Sequence, residues 1–430
     1  MSEPTLRPET LAIHGGFRKD PTTNAVATPI YQTTSYQFDS AEHAASLFEL
    51  KELGNIYTRM MNPTNDLLEQ RITQLDGGAA SLALASGQAA STLCVLNLCR
   101  VGDNIVSSTD IYGGTWNLFA NTIKNMGIEV RFVDPEDPEA FARATDERTR
   151  LYYGETLPNP KLRVFPIQEV SDIGRARGIP LVVDNTAAPY LCRPLDHGAA
   201  VVLYSATKYL GGHGTSVGGL VVDGGNFDWE AHAARQPLLN EPDPSYHGAV
   251  WTEAVKPLGP IAFVMRMRVV LLRDLGPAMS PFNAFQLMQG METLHLRMKQ
   301  HSDNAEKVAS FLEQHPKVSR VIHPTRHEGA GRRRAETYLK GGFSGLVGFE
   351  LKDGLDAGRR FIDSLELVYH VANIGDAKSL AIHPASTTHQ QLKPEEREMA
   401  GVSEGYVRLS IGIEHPDDII ADLGRALETA

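Results

Sequence analysis

The chain has 430 residues, is 42% hydrophobic and 22% charged, and carries 41 basic against 52 acidic side chains for a formal net charge of −11. At roughly 100–200 residues per domain this is an ordinary globular chain of two or three domains, which excludes disordered, collagenous, coiled-coil and staple-dependent readings. The acidic balance argues against broad adhesion to nucleic acid or anionic membrane.

Residues 1–62 are expected to form an N-terminal arm, because Pro4, Pro8, Pro21 and Pro29 interrupt any long periodicity, with one short helix over Ser40–Leu53. No apolar signal core follows Met1, and no stretch reaches the ~18 apolar residues of a spanning helix, so a cytoplasmic protein is expected. From Leu67 the pattern alternates: a helix to Leu75, an apolar run Ser81–Ala85, a helix Gln88–Leu98, and strands at Asn104–Ser107, Glu129–Val133, Leu151–Glu155, Leu181–Asp184, Val201–Tyr204 and Gly219–Val222. Near-continuous apolar strands between helices predict an α/β fold with a mostly parallel sheet covered on both faces, forming a large domain over 63–280. Between Gly224 and Pro260 the texture turns polar and aromatic, which marks a functional or interface segment. One long helix is predicted from Phe282 to Gln314, leading into a smaller α/β domain within 281–430. Its strands are expected at Val318–Ile322, Gly345–Glu350, Leu365–Tyr369 and Tyr406–Ile413, and its helices at Ala357–Leu365 and Pro416–Leu427.

Several familiar signatures fail. In Gly211-Gly-His-Gly-Thr-Ser-Val-Gly-Gly219, Val217 stands where a dinucleotide fingerprint needs glycine, and no Gly-Lys dipeptide exists to make a P-loop. His327-Glu328 lacks the second histidine of a zincin, Gly342-Phe-Ser344-Gly-Leu346 lacks the last glycine of a nucleophile elbow, and Cys94, Cys99 and Cys192 include no CxxC pair. His213 and His383 have no partner at a ligand spacing and read as structural hydrogen bonders, so no metal site is expected.

What remains is an acid and a lysine, each just past an apolar strand: Leu181-Val-Val-Asp184-Asn-Thr186 and Val201-Val-Leu-Tyr-Ser205-Ala-Thr207-Lys208-Tyr209. Carboxyl ends of neighbouring strands in an open α/β sheet converge on one crevice. A lysine amine, with an ordinary pKa of roughly 10.4, becomes a nucleophile near pH 7 only when burial or a neighbouring cation lowers that value. Its evident use is a Schiff base with a carbonyl cofactor. A pyridine cofactor would need a carboxylate such as Asp184 on its ring nitrogen, and an anionic tail would need donors such as Ser205 and Thr207. A second anion feature is Ser86-Gly87-Gln88, a small-residue turn opening a helix.

These residues carry a family resemblance. Tyr57-Thr-Arg59-Met-Met-Asn-Pro-Thr64, Ser86-Gly87-Gln88, Tyr112-Gly-Gly114, Val183-Asp184-Asn-Thr186, Ser205-Ala-Thr-Lys-Tyr209 and Arg408-Leu-Ser-Ile-Gly412 resemble the Cys/Met-metabolism group of pyridoxal 5'-phosphate (PLP) enzymes, from about Thr10 to the C-terminus. The resemblance implies the aspartate-aminotransferase-like fold type I and a homotetramer of dimers with shared sites. It makes Lys208 the Schiff-base lysine and Asp184 the partner of the ring nitrogen. Ser86, Gly87, Gln88, Thr186, Ser205 and Thr207 become cofactor contacts. Asn159 is placed near the ring hydroxyl, and Tyr112 is stacked on the ring with a possible part in proton transfer. Tyr57 and Arg59 would be donated to a neighbouring subunit's site, with both groups on one side of an extended arm, and Arg408, Ser379 and Tyr57 would hold the substrate.

Within that group Gly114 replaces the cysteine usual in methionine γ-lyases, while Pro242-Asp-Pro-Ser-Tyr-His-Gly248 and the run Ser379 to His389 are similar to O-acetylhomoserine sulfhydrylases. The implied reaction is γ-replacement on O-acetyl-L-homoserine by sulfide or methanethiol. Cystathionine γ-synthase or γ-lyase chemistry, methionine γ-lyase chemistry, and a PLP-binding carrier or regulator are the alternatives.

Overall fold

The computed structural model describes residues 6–388, 390 and 401–430. His389 lies outside the described residues. Seven strands form the larger sheet: β1 (Ala80–Leu84), β2 (Asn104–Ser108), β3 (Glu129–Val133), β4 (Thr149–Glu155), β5 (Leu181–Asp184), β6 (Val201–Ser205) and β7 (Gly219–Asp223). Their spatial order is β1-β7-β6-β5-β4-β2-β3. β7 runs antiparallel to both of its neighbours and the other pairings are parallel, so β1 and β6 point the same way with β7 between them. Successive residues serve opposite faces: Val106, Val183, Val202 and Leu220 enter one core, while Ile105, Val182, Val201 and Val221 enter the other. This period of two, apolar at every position, is what a sheet covered on both sides requires.

Local signals set the elements that frame the site. Asn62 caps the helix Pro63–Asp76 by accepting the Thr64 amide at 2.9 Å, and Gly77 ends it at φ 72°, a left-handed conformation suited to glycine. Ser86 caps the helix Gly87–Leu98 through the Ala89 amide at 3.1 Å. The segment 224–260 folds back on its own sheet. Trp251 is buried with its indole N–H donating to Asp243 at 2.9 Å, and Gln236 donates to the carbonyls of Arg150 (3.0 Å) and Gly178 (3.3 Å), at the amino ends of β4 and β5. Within one chain, this segment therefore closes the sheet end opposite the strands' carboxyl ends.

The second sheet contains β8 (Val318–Ile322), β9 (Leu346–Leu351), β10 (Tyr369–His370), β11 (Leu380–Ile382) and β12 (Tyr406–Ser410) in the order β10-β11-β12-β9-β8. The predicted strand Leu365–Tyr369 is corrected to the short β10. Both oxygens of Asp422 take the amides of Glu366, Leu367 and Val368 at 3.0 Å, so a side chain satisfies backbone that a ladder would otherwise need. β11 and the helix Gly329–Tyr338 were not foreseen: the first is only three residues long, and the second is dominated by arginines.

The single helix expected over 282–314 is two, Pro281–Glu292 and Leu294–Glu313, broken at Thr293. Arg297 explains the break. Its guanidinium donates to the carbonyls of Tyr209 and Gly290 at 2.7 Å and of Leu210 at 3.2 Å, pinning the junction to the segment just after Lys208. Gly290 makes that approach possible, since a Cβ there would lie 2.2 Å from the Gly211 carbonyl oxygen. Gly290→Ala ordinarily strengthens a helix interior by ~1 kcal/mol. Here it is expected to destabilise the fold by ~2–4 kcal/mol through overpacking against backbone, read as a lowered denaturant midpoint; a stabilised variant would contradict this packing.

Candidate active site

The turns that carry Ser86, Tyr112, Asp184 and Lys208 leave the same edge of the larger sheet. Leu84 of β1 and Ser205 of β6 both pair with Gly219 of β7. Because Gly219 has no side chain, Ser86 and Ser205 converge over it; a Cβ there would sit 2.1 Å from the Ser86 carbonyl oxygen. Gly87 is similarly pressed on Ser205, its imaginary Cβ lying 2.6 Å from the Ser205 Cβ. The amides of Gly87 and Gln88, at the open end of their helix, have no partner among the described residues. Free amides, the positive helix end and the Ser205 hydroxyl therefore form an anion cradle. The Thr207 hydroxyl accepts the Gly218 amide at 3.0 Å, which ties it to the residue before β7.

Asp184 ends β5 one strand away, almost fully buried. Burial raises its carboxyl to about 6, against the opposing pull of the Thr186 hydroxyl and amide, the latter donating at 2.9 Å. Thr186 also accepts the Ser205 amide at 2.7 Å, locking the two strand ends together. A cation placed against Asp184 would relieve the burial penalty, and a protonated pyridine nitrogen is such a cation.

Lys208 follows β6 and is held in a protein environment that disfavours its charge. Burial, then the nearby Arg408 guanidinium, lower its amine to about 8. Its Nζ donates to the Asn373 side-chain oxygen, and the Asn373 carbonyl accepts from Arg408 at 2.8 Å. Arg408 comes from β12, where Val407 and Leu409 face the core. Its Nε is buried without a partner, which leaves one edge of the guanidinium for a carboxylate.

Sequence reasoning missed Asn373, since an asparagine in a loop carries no motif, and it missed Glu155 and Asp110. Tyr112 is 53% exposed at the mouth, and its backbone amide donates to Glu155 at 2.7 Å. Asp110, buried two residues earlier, takes Lys161 at 2.7 Å and Arg163 at 2.6 Å, tying the Tyr112 turn to the segment after Asn159. Asn159 has a buried side-chain oxygen without a partner, which fits a hydroxyl donor placed against it.

Ser379 is fully buried, and its hydroxyl and amide are both bonded to Glu414, at 2.9 and 2.6 Å, while the hydroxyl also accepts the Gly412 amide; it is Asn373 that bonds both Lys208 and Arg408. Tyr57 and Arg59 do lie together, the guanidinium carbon 5.1 Å from the ring centroid, but on a turn in which the Tyr57 carbonyl accepts the amides of Met60 and Met61, not on an extended strand. Both are exposed. His213 donates from Nδ1 to the Gly211 carbonyl, and His383 donates from Nε2 to the Glu404 carbonyl and bonds the Ser386 hydroxyl through Nδ1.

A buried amine of low pKa, a buried acid, an amide-lined anion cradle and an unpartnered amide oxygen together fit a pyridine aldehyde phosphate. The sequence matches the family described as Cys/Met metabolism PLP-dependent enzyme over residues 9–428, and the chain belongs to that family. Its cofactor is PLP, and it is an enzyme of the fold type I architecture. It is 53% identical to the O-acetyl-L-homoserine sulfhydrylase of Leptospira meyeri, with 98% of this chain and 97% of the relative covered. It is 49% identical to O-acetyl-L-homoserine sulfhydrylase 1 of Thermus thermophilus, covering 98% and 100%. Among solved structures it resembles a putative O-acetylhomoserine (thiol)-lyase of Campylobacter jejuni that contains N'-pyridoxyl-lysine-5'-monophosphate, with a TM-score of 0.93, 42% identity, and 98% and 100% covered.

Because only a neutral amine attacks an aldehyde, attachment of PLP to the cofactor-free chain, trapped with borohydride and mapped to Lys208, is expected to rise with pH around a midpoint of about 8. Arg408→Ala removes the neighbouring positive charge and should move that midpoint upward. A midpoint near the ordinary lysine value of 10.5 would contradict the environment described.

Proposed function

We propose that this protein replaces the acetate on Cγ of O-acetyl-L-homoserine with sulfide or methanethiol, giving homocysteine or methionine. The observation that carries the reading is the Lys208–Asn373–Arg408 arrangement: an amine of lowered pKa bonded to the same residue as a guanidinium with a free edge. An α-amino acid offers its carboxylate to the guanidinium and its Cα–H and amine to the lysine. The full-length likeness to sulfhydrylases supports replacement at Cγ over the alternatives.

Bound PLP supplies the electron sink that makes the Cα proton acidic. Asp184 holds the ring nitrogen charged and Thr186 orients Asp184. Ser205 and the backbone at Ser86, Gly87 and Gln88 hold the phosphate, with Thr207 supporting their turn. Asn159 meets the ring hydroxyl and Tyr112 covers the ring face. Lys208 takes the Cα proton and then a Cβ proton, so that acetate can leave Cγ, and returns both once sulfide has added there, a contribution of typically ~10²–10⁴-fold in rate. Arg408 binds the substrate carboxylate through two parallel bonds.

The assembly proposed is a homotetramer of dimers in which Tyr57 and Arg59 complete a neighbour's phosphate and substrate contacts. Their mutual stacking and exposure support it, as does the anchoring of their turn by Arg268, which donates to the Met60 carbonyl at 2.8 Å and pairs with buried Glu69. Among the described residues no helix is long and apolar enough to cross a membrane.

Purified protein given O-acetylhomoserine should release acetate and homocysteine only when sulfide is added, and Lys208→Ala should lose at least ~10²-fold of that rate while staying folded. Release of ketobutyrate from methionine alone would indicate a lyase instead. Lys208→Ala and Arg59→Ala, each inactive alone, should recover roughly a quarter of full activity when dissociated and mixed, because half the dimers then have one intact site. No recovery would remove the shared-site proposal and leave the chemistry standing.

A further inference from the structure

Glu155 is a buried acid beside Asp184 that the mechanism does not use. Glu155 is the last residue of β4 and is paired in register with Asp184, the last residue of β5. Paired residues on neighbouring strands project to the same face with Cβ atoms about 5 Å apart, so two carboxyl groups share the floor of one pocket. Only one has an evident ligand. The other accepts the Tyr112 backbone N–H at 2.7 Å and is 6% exposed.

At Tyr112 the backbone N–H goes to Glu155, while the carbonyl accepts the Trp116 amide at 2.9 Å. Tyr112 precedes a helix without a side-chain cap, and that helix runs from Gly113 to Asn117 and on through Leu118–Ile123. Asp110 fixes the turn from one side through Lys161 and Arg163, and Glu155 fixes it from the sheet. Gly114 is in close contact with the Tyr112 ring, where a Cβ would lie 2.4 Å from Cε1. A small shift of the backbone at residue 112 therefore moves the ring directly.

We propose that Glu155 is a positioning residue whose carboxyl oxygen holds the Tyr112 backbone, and so sets where the Tyr112 ring would meet the PLP ring whose nitrogen Asp184 would hold. This rests on the proposed placement of the PLP ring between Tyr112 and Asp184. In this role the acceptor oxygen matters and a second negative charge does not. Burial and the neighbouring Asp184 hold the Glu155 carboxyl well above the usual carboxylate range, which keeps the floor from carrying two charges. Glutamine keeps the acceptor, whereas methionine keeps the volume and removes it.

The test uses PLP-loaded protein and reads the rate of PLP dissociation and the visible circular dichroism of the bound cofactor, with thermal midpoints confirming a folded chain. Glu155→Met is expected to speed dissociation about tenfold, the effect of one hydrogen bond to a carboxyl group, and to reduce the dichroism. Glu155→Gln should stay within about twofold of the unaltered protein. In a Tyr112→Ala background the tether remains but positions nothing, so Glu155→Met should add less than about twofold. Unchanged dissociation in Glu155→Met, equal damage in Glu155→Gln, or full multiplication with Tyr112→Ala would each overturn the proposal. If Tyr112→Ala itself changes neither reading, the ring placement fails first; if it changes both and Glu155→Met changes neither, only the tether fails.

Discussion

An amine kept short of its usual charge is the constraint on which the rest of the site depends. Lys208 lies in a pocket whose walls remove water and whose nearest ionic neighbour, Arg408, is also a cation. The like charge and the desolvation act in the same direction, and both favour the neutral, nucleophilic form. The same guanidinium that destabilises the ammonium presents a free edge for a carboxylate, so one residue prepares the amine and receives the substrate. Asn373 connects the two cations without adding charge.

Sheet direction brings the remaining groups to that amine. With β7 antiparallel between β1 and β6, the two strands that deliver Ser86 and Ser205 end at one edge, and Gly219 leaves room for them to meet. β5 and β4, parallel to β6, deliver Asp184 and Glu155 to the same edge, and β2 leads to Asp110 and Tyr112. The second sheet contributes Arg408 from outside this edge, and Tyr406 on the same strand donates to the Pro160 carbonyl at 3.2 Å, fastening Arg408's strand to the turn that holds Asn159.

Much of this was legible in sequence because the strands are short, apolar at every position and followed by small or charged residues. Asp184, Ser205 and Lys208 stand directly after such strands, and Ser86-Gly87 is a helix start that can be read from its residue types. What was not legible depends on contacts across the chain. Asn373 and Glu155 look like any polar residue until β12 and β5 bring their partners. Ser379 has a residue type suited to an anion contact, yet Glu414 takes its hydroxyl and amide. Thr293 breaks an otherwise continuous helical pattern because Arg297, one turn later, spends donors on the Tyr209 and Leu210 carbonyls, 80 or more residues away, as well as on Gly290. The proline-interrupted N-terminus suggested an extended arm with Tyr57 and Arg59 on one side, but local carbonyl bonds turn it; stacking brings the pair together instead.

The most direct test of the account is the protonation of the cofactor ring against Asp184, read by nitrogen NMR on protein loaded with PLP labelled at the ring nitrogen. The account predicts a protonated nitrogen in the unaltered protein at neutral pH and its loss in Asp184→Asn, with the label still covalently attached at Lys208. An unprotonated nitrogen in the unaltered protein, or attachment at any other lysine, would contradict it.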